Sequence, residues 1–130
     1  MIYGYAGADA IYGGAGSDFI DGGDDGDTLY GGAGNDKVFG GEGGDTIYGD
    51  STDGDEATFF GDDKLYGGAG IDTIFGSFGD DLIKGGDDND ILYGGSGEDT
   101  IYGDAGDDTI ETGSGWDTVF GGDGCDTITT

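Results

Sequence analysis

A nine-residue period governs this chain. With a frame opened at Gly4, fourteen slots run without a gap to Thr129. The sixth position of the slot is Asp in thirteen of them: Asp9, Asp18, Asp27, Asp36, Asp45, Asp63, Asp72, Asp81, Asp90, Asp99, Asp108, Asp117 and Asp126. The eighth position is Ile, Leu or Val in the same thirteen, from Ile11 and Ile20 through Val38 and Leu65 to Ile128. Gly54 and Glu56 mark the one slot that breaks both series. A short unit of this kind cannot bury an apolar face alone, so it must stack on copies of itself.

The chemistry of the slot selects the kind of stack. Glycine occupies 35 of 130 positions, and each glycine in a helix interior costs ~1 kcal/mol against alanine, so a helical repeat is excluded. Positions seven to nine, as in Thr46-Ile47-Tyr48, are β-branched and aromatic and suit a strand. The glycines at positions one, two and four suit a turn that needs positive φ. A strand of about three residues followed by a six-residue turn reverses the chain. Two slots therefore close one coil of eighteen residues, with odd slots stacking on odd and even on even. Side chains alternate along a strand, so position eight points inward and positions seven and nine outward. The expected product is all-β: two short parallel sheets face to face across a single rib of aliphatics. Seven such coils would extend roughly 34 Å.

The charge raises a conflict that this thin interior does not resolve. Thirty acids face three lysines (Lys37, Lys64, Lys84), with no arginine or histidine, for a net charge of -27. Such a balance ordinarily accompanies disorder and repels nucleic acid; the fitting partners are cations or a basic surface. The single cysteine, Cys125, excludes an internal disulfide framework. No apolar run approaches membrane-spanning length. The chain opens mid-phrase and is expected to be a segment of a longer protein, with Met1 as a start codon.

Slots such as Gly31-Gly32-Ala33-Gly34-Asn35-Asp36-Lys37-Val38-Phe39 meet every position of the pattern G-G-x-G-x-D-x-U-x. The slots opening at Gly13, Gly40, Gly67 and Gly94 do the same. In this the chain resembles the RTX (repeats-in-toxin) nonapeptide repeats of haemolysin-type toxins and of secreted serralysin-like proteases and lipases. The resemblance implies a parallel β-roll, a right-handed β-solenoid, with calcium held between stacked turns. Its ligands would be the thirteen position-six aspartates, with backbone carbonyls of turn residues such as Gly14, Gly16, Gly32, Gly34, Gly41, Gly43, Gly68, Gly70, Gly95 and Gly97.

Elementary chemistry agrees, since calcium takes six to eight hard oxygen ligands at ~2.3–2.6 Å. Odd-on-odd and even-on-even stacking gives six and four neighbouring Asp pairs, hence about ten ions, which would reduce -27 to -7. Without them, columns of carboxylates stand within the ~10 Å Debye length of one another. The metal-free chain is therefore expected to be disordered, with calcium driving folding.

Three classes of function follow. The first is a calcium-responsive folding module of a type I-secreted extracellular bacterial protein, stabilising an attached toxin, protease or lipase domain. The second is an adhesin, spacer or saccharide-binding module using an outward aromatic strip, expected on odd slots as Tyr12, Tyr30, Tyr48, Tyr66, Tyr102 and Phe120, broken by Lys84. The third, an enzyme, lacks support: there is no histidine for a zinc site or a Ser-His-Asp triad and no phosphate-binding loop. Bare coil edges suggest end-to-end self-association. Trp116 and Cys125 at turn position five should face solvent. Residues 49–60 read as a surface loop or degenerate coil, or as a protrusion carrying Phe59 and Phe60.

Overall fold

The computed structural model describes residues 1–50 and 60–130. The expected protrusion around Phe59, and the broken slot positions Gly54 and Glu56, lie outside the described residues. Fourteen strands succeed one another: β1 (Ile2–Ala6), β2 (Ala10–Ala15), β3 (Phe19–Asp24), β4 (Thr28–Ala33), β5 (Lys37–Glu42), β6 (Thr46–Asp50), β7 (Lys64–Ala69), β8 (Thr73–Phe78), β9 (Leu82–Asp87), β10 (Ile91–Ser96), β11 (Thr100–Ala105), β12 (Thr109–Ser114), β13 (Thr118–Asp123) and β14 (Thr127–Thr129). They form two seven-stranded sheets, in the orders β1-β3-β5-β7-β9-β11-β13 and β2-β4-β6-β8-β10-β12-β14. All pairings are parallel, and the whole is a β-solenoid of about seven turns of ~18 residues. The two-sheet stack expected from the repeat is present.

The interior is the rib of position-eight side chains. Ile20, Leu29, Val38, Ile47, Leu65, Ile74, Ile83, Leu92, Ile101 and Ile110 are fully buried, and Ile2 and Val119 pack against the ends of the cluster. Each coil contributes only two such residues, so apolar burial per coil is small beside that of a layered globular domain.

The strands are longer than the expected three residues. Each regular strand begins at position seven and runs through both glycines to position three, as in Thr28–Ala33. The second glycine pairs in register with its copy one coil away, Gly14 with Gly32. It does so at positive φ, 113° at Gly32, and a Cβ there would strike the carbonyl oxygen of Gly14. Glycine thus belongs to the ladder because the coils approach too closely for a side chain.

The interruption changes the expected stacking. Lys37 pairs with Lys64, and Thr46 with Thr73, a step of 27 residues where other neighbours are 18 apart. Gly49, Asp50, Gly61, Asp62 and Asp63 fill turn positions one, two, four, five and six. Gly61 stacks between Gly34 and Gly79, both at position four. The turn therefore carries nine residues (27 - 18) more than its neighbours. Because nine is also the period, the sequence frame survives while odd and even slots exchange sheets. Asp45 consequently neighbours Asp72, not Asp63, and Asp36 neighbours Asp63.

The same exchange corrects the aromatic strip. Tyr12, Tyr30, Tyr48, Phe75 and Tyr93 form one ladder, with ring centroids 4.7–4.9 Å apart and planes within 4°. Tyr66 stacks instead on Phe39 in the other sheet, and Tyr102 on Phe120. Lys84 reaches over Tyr102, 4.6 Å from its centroid. In the long ladder the ring faces cover one another. Trp116, at 87% exposure, and Cys125 face solvent as expected.

Candidate metal centre

Position six lies just before each strand, at the corner between one sheet and the next, and every predicted aspartate stands in one of two columns. One column is Asp9, Asp27, Asp45, Asp72, Asp90, Asp108 and Asp126; the other is Asp18, Asp36, Asp63, Asp81, Asp99 and Asp117. Both are continuous through the interruption, so there are eleven neighbouring pairs (6 + 5) where the sequence suggested ten.

Each pair is joined the same way. The backbone N–H of one Asp donates to Oδ1 of the next, at 2.7 Å from Asp27 to Asp45 and 2.8 Å from Asp72 to Asp90. The Asp carbonyl in turn accepts from the residue after the next Asp, as Thr46 N–H to Asp27 O at 2.9 Å. One carboxylate oxygen is thereby used to fix the side chain.

The other oxygen has no protein partner. Oδ2 of Asp9, Asp27, Asp36, Asp45, Asp63, Asp72, Asp81, Asp90, Asp99 and Asp108 is buried without a hydrogen bond. A buried carboxylate oxygen left so is costly unless a cation meets it. Burial pushes Asp36 and Asp45 up to about 6, Asp63, Asp72 and Asp90 to about 7, and Asp81 to about 8. The backbone N–H donated to Oδ1 opposes this shift, and neighbouring aspartates add to it.

The space beside each Oδ2 is kept by glycine. A Cβ on Gly85 would press on Asp90 Oδ2 and sit 2.8 Å from the Gly103 carbonyl oxygen. Gly22, Gly40 and Gly67 stand in the same relation to Asp27, Asp45 and Asp72. Carboxylate and carbonyl oxygens therefore face a common small space. The turn glycines named from the sequence, Gly14, Gly16, Gly32, Gly34, Gly41, Gly43, Gly68, Gly70, Gly95 and Gly97, all adopt positive φ and stack turn on turn. Those abutting the unpartnered oxygens are the first glycines of the slots.

Among the described residues no three acidic side chains gather as an all-side-chain cage, so any ion here needs backbone carbonyls. That donor set, all oxygen and flexible in number, suits calcium and not zinc. One buried acid was missed from the sequence: Asp50, whose only signal is an acid where position two is usually glycine.

The family model described as the RTX calcium-binding nonapeptide repeat (4 copies) matches residues 1–20, 21–54, 58–92, 66–101 and 93–128. The chain belongs to this family and is a calcium-binding repeat module of the β-roll kind. No curated protein matches the chain. Among the described residues no helix is long and apolar enough to cross a membrane.

Proposed function

We propose that this module folds outside the cell when calcium fills the turns, and that folding stabilises or helps to fold neighbouring domains of a secreted protein. The observation that carries the reading is the column of buried carboxylates with one oxygen tied to the backbone and the other unpartnered. Bound calcium supplies the positive charge these oxygens lack. The chain's own residues do the rest: Oδ1 bonds fix each carboxylate, first-position glycines keep the space, and stacked turns present carbonyls.

Eleven carboxylate pairs at one ion each would bring -27 to -5. Extracellular modules bind calcium at ~10⁻⁴–10⁻³ M, far above cytosolic supply, so a chain with such sites stays unfolded until exported. Catalysis would reside in a neighbouring domain, since the acids here are engaged in the turns. A saccharide platform is less favoured, because the stacked rings offer edges where a sugar needs a face.

Circular dichroism during a calcium titration tests this at neutral pH. We expect a disordered spectrum in excess chelator and a cooperative gain of β signal with calcium. Full β structure in chelator would overturn calcium-driven folding.

A further inference from the structure

Departures from a repeat break its internal consistency, so a group of them in one place points to a use. Three gather between β1 and β3. Tyr5 stands at turn position two, where β3, β4 and β5 carry Gly23, Gly32 and Gly41. Asp21 stands at position nine, where the strands on either side of it carry Tyr3 and Phe39. Phe19 stands at position seven, which is most often Thr.

Beside them lies an open-sided cavity of about 430 Å³, lined by Tyr3, Tyr5, Ala6, Asp21, Gly23 and Asp24. Strand register sets its walls: Tyr3 is opposite Asp21, Tyr5 opposite Gly23, and Ala6 opposite Asp24. The Tyr3 and Tyr5 ring centroids are 6.0 Å apart, with the planes tilted by 31°. Phe19, 6.1 Å from Tyr3 and 5.5 Å from Phe39, carries the ring packing past the rung where Asp21 has no ring.

The tyrosines gain little burial from this arrangement. Tyr3 is 46% exposed and Tyr5 74%. Tyr5 also holds a φ of 78°, which a bulky side chain rarely adopts. A strained residue with an exposed ring fits a ligand clamp better than a structural contact. Among the described residues the Asp21 and Asp24 carboxylates have no hydrogen bond or ion pair. Lys37, on the next strand β5, sits over the Phe39 ring, 4.8 Å from its centroid.

Rings and carboxylates together select the ligand. A metal ion would gain nothing from the rings, and among the described residues no third metal-binding side chain joins the two acids. A guanidinium uses both: it stacks on an aromatic face and gives a carboxylate two parallel N–H bonds. We propose that the cavity between β1 and β3 binds a guanidinium group, carried by a free guanidino compound or by an arginine of a partner polypeptide. The chain contains no arginine, so a second copy of it cannot supply the group. The site uses none of the turn ligands assigned to calcium.

The test is an NMR titration of the full chain in saturating calcium with N-acetyl-arginine amide, read at the Tyr3 and Tyr5 ring signals. N-acetyl-lysine amide, of equal charge, is the comparison. Wild type should show saturable shifts at both rings and prefer the arginine amide. Tyr5→Gly restores the residue of the repeat, and Asp21→Asn keeps the side-chain shape; each should weaken binding about three-fold or more. Asp123→Asn removes a charge at the same strand position as Asp24 but on β13, and should change nothing. Absence of saturable shifts overturns the proposal. Equal binding of the two amides, or an equal loss in Asp123→Asn, means attraction to the net charge of -27 alone and overturns it too. Should Tyr5→Gly fail to fold, Asp21→Asn and the arginine–lysine comparison decide. An Ala-Arg-Ala peptide separates the two sources: tighter binding than the amide supports a polypeptide partner, and equal binding a free guanidino compound.

Discussion

At the scale of single residues, the aspartates and glycines form one device. The Asp N–H and Oδ1 make the coil-to-coil bond, and Oδ2 is aimed at a space that a first-position Cβ would fill. The cost of this arrangement depends on pH. The acids are raised from 3.8 to about 6 at Asp36 and Asp45, and to about 7 or 8 at Asp72 and Asp81. A raised folded-state value means that the metal-free rod binds more protons than the unfolded chain. Its stability is therefore greatest below about 4 and is lost as pH rises through the window from about 6 to about 8. Calcium competes with the same protons, so its affinity should rise across that window. Calcium-stripped protein followed by circular dichroism should show more β structure at the acid end than at the alkaline end; the opposite trend would contradict the assignment.

At the scale of elements, the interrupted turn shows how a repeat tolerates an insertion. The strands on either side, β5 with β7 and β6 with β8, pair in register despite the 27-residue step. The nine extra residues fall in sequence between Asp50 and Phe60, and lengthening a connection costs only ~0.6 kcal/mol of loop closure per doubling. Deleting residues 51–59 would leave Gly49-Asp50-Phe60-Gly61-Asp62-Asp63, a turn of regular length. The deletion protein should bind calcium with the same β spectrum, and its thermal midpoint at saturating calcium should equal or exceed that of wild type. A large fall would mean that the nine residues contribute contacts to the fold.

For the molecule as a whole, the balance lies between one aliphatic rib and -27 of charge. Two explanations of the proposed calcium-driven folding differ in one respect. If calcium acted only by screening, concentrated monovalent salt would replace it, since the Debye length falls to ~3 Å at 1 M. If calcium acts as a ligand, the buried oxygens stay unpartnered in any amount of sodium chloride. The unpartnered oxygens favour the second. The chelated chain should therefore remain largely disordered at about 1 M sodium chloride, and a full β spectrum under those conditions would favour screening.

Read alone, the sequence set the unit, its inward aliphatic, its position-six acid and its two-sheet stack. Each follows from local chemistry repeated at a fixed spacing, and Asp27 or Ile47 is legible from its slot alone. It did not determine which coil each slot stacks on beyond the interruption. An insertion equal to the period leaves the frame of nine unchanged, so Asp63 kept its position while its neighbour changed from Asp45 to Asp36. Nor did it reveal the longer strands, because the second glycine joins the ladder only when a neighbouring coil stands against it. Asp50 was least legible of all. Burial of its carboxylate depends on pairing between coils, in register with Gly32 on one side and accepting the Phe78 N–H on the other. Asp104, with the same residue at the same turn position, is exposed. Tertiary contacts, not the identity of the residue, separate the two.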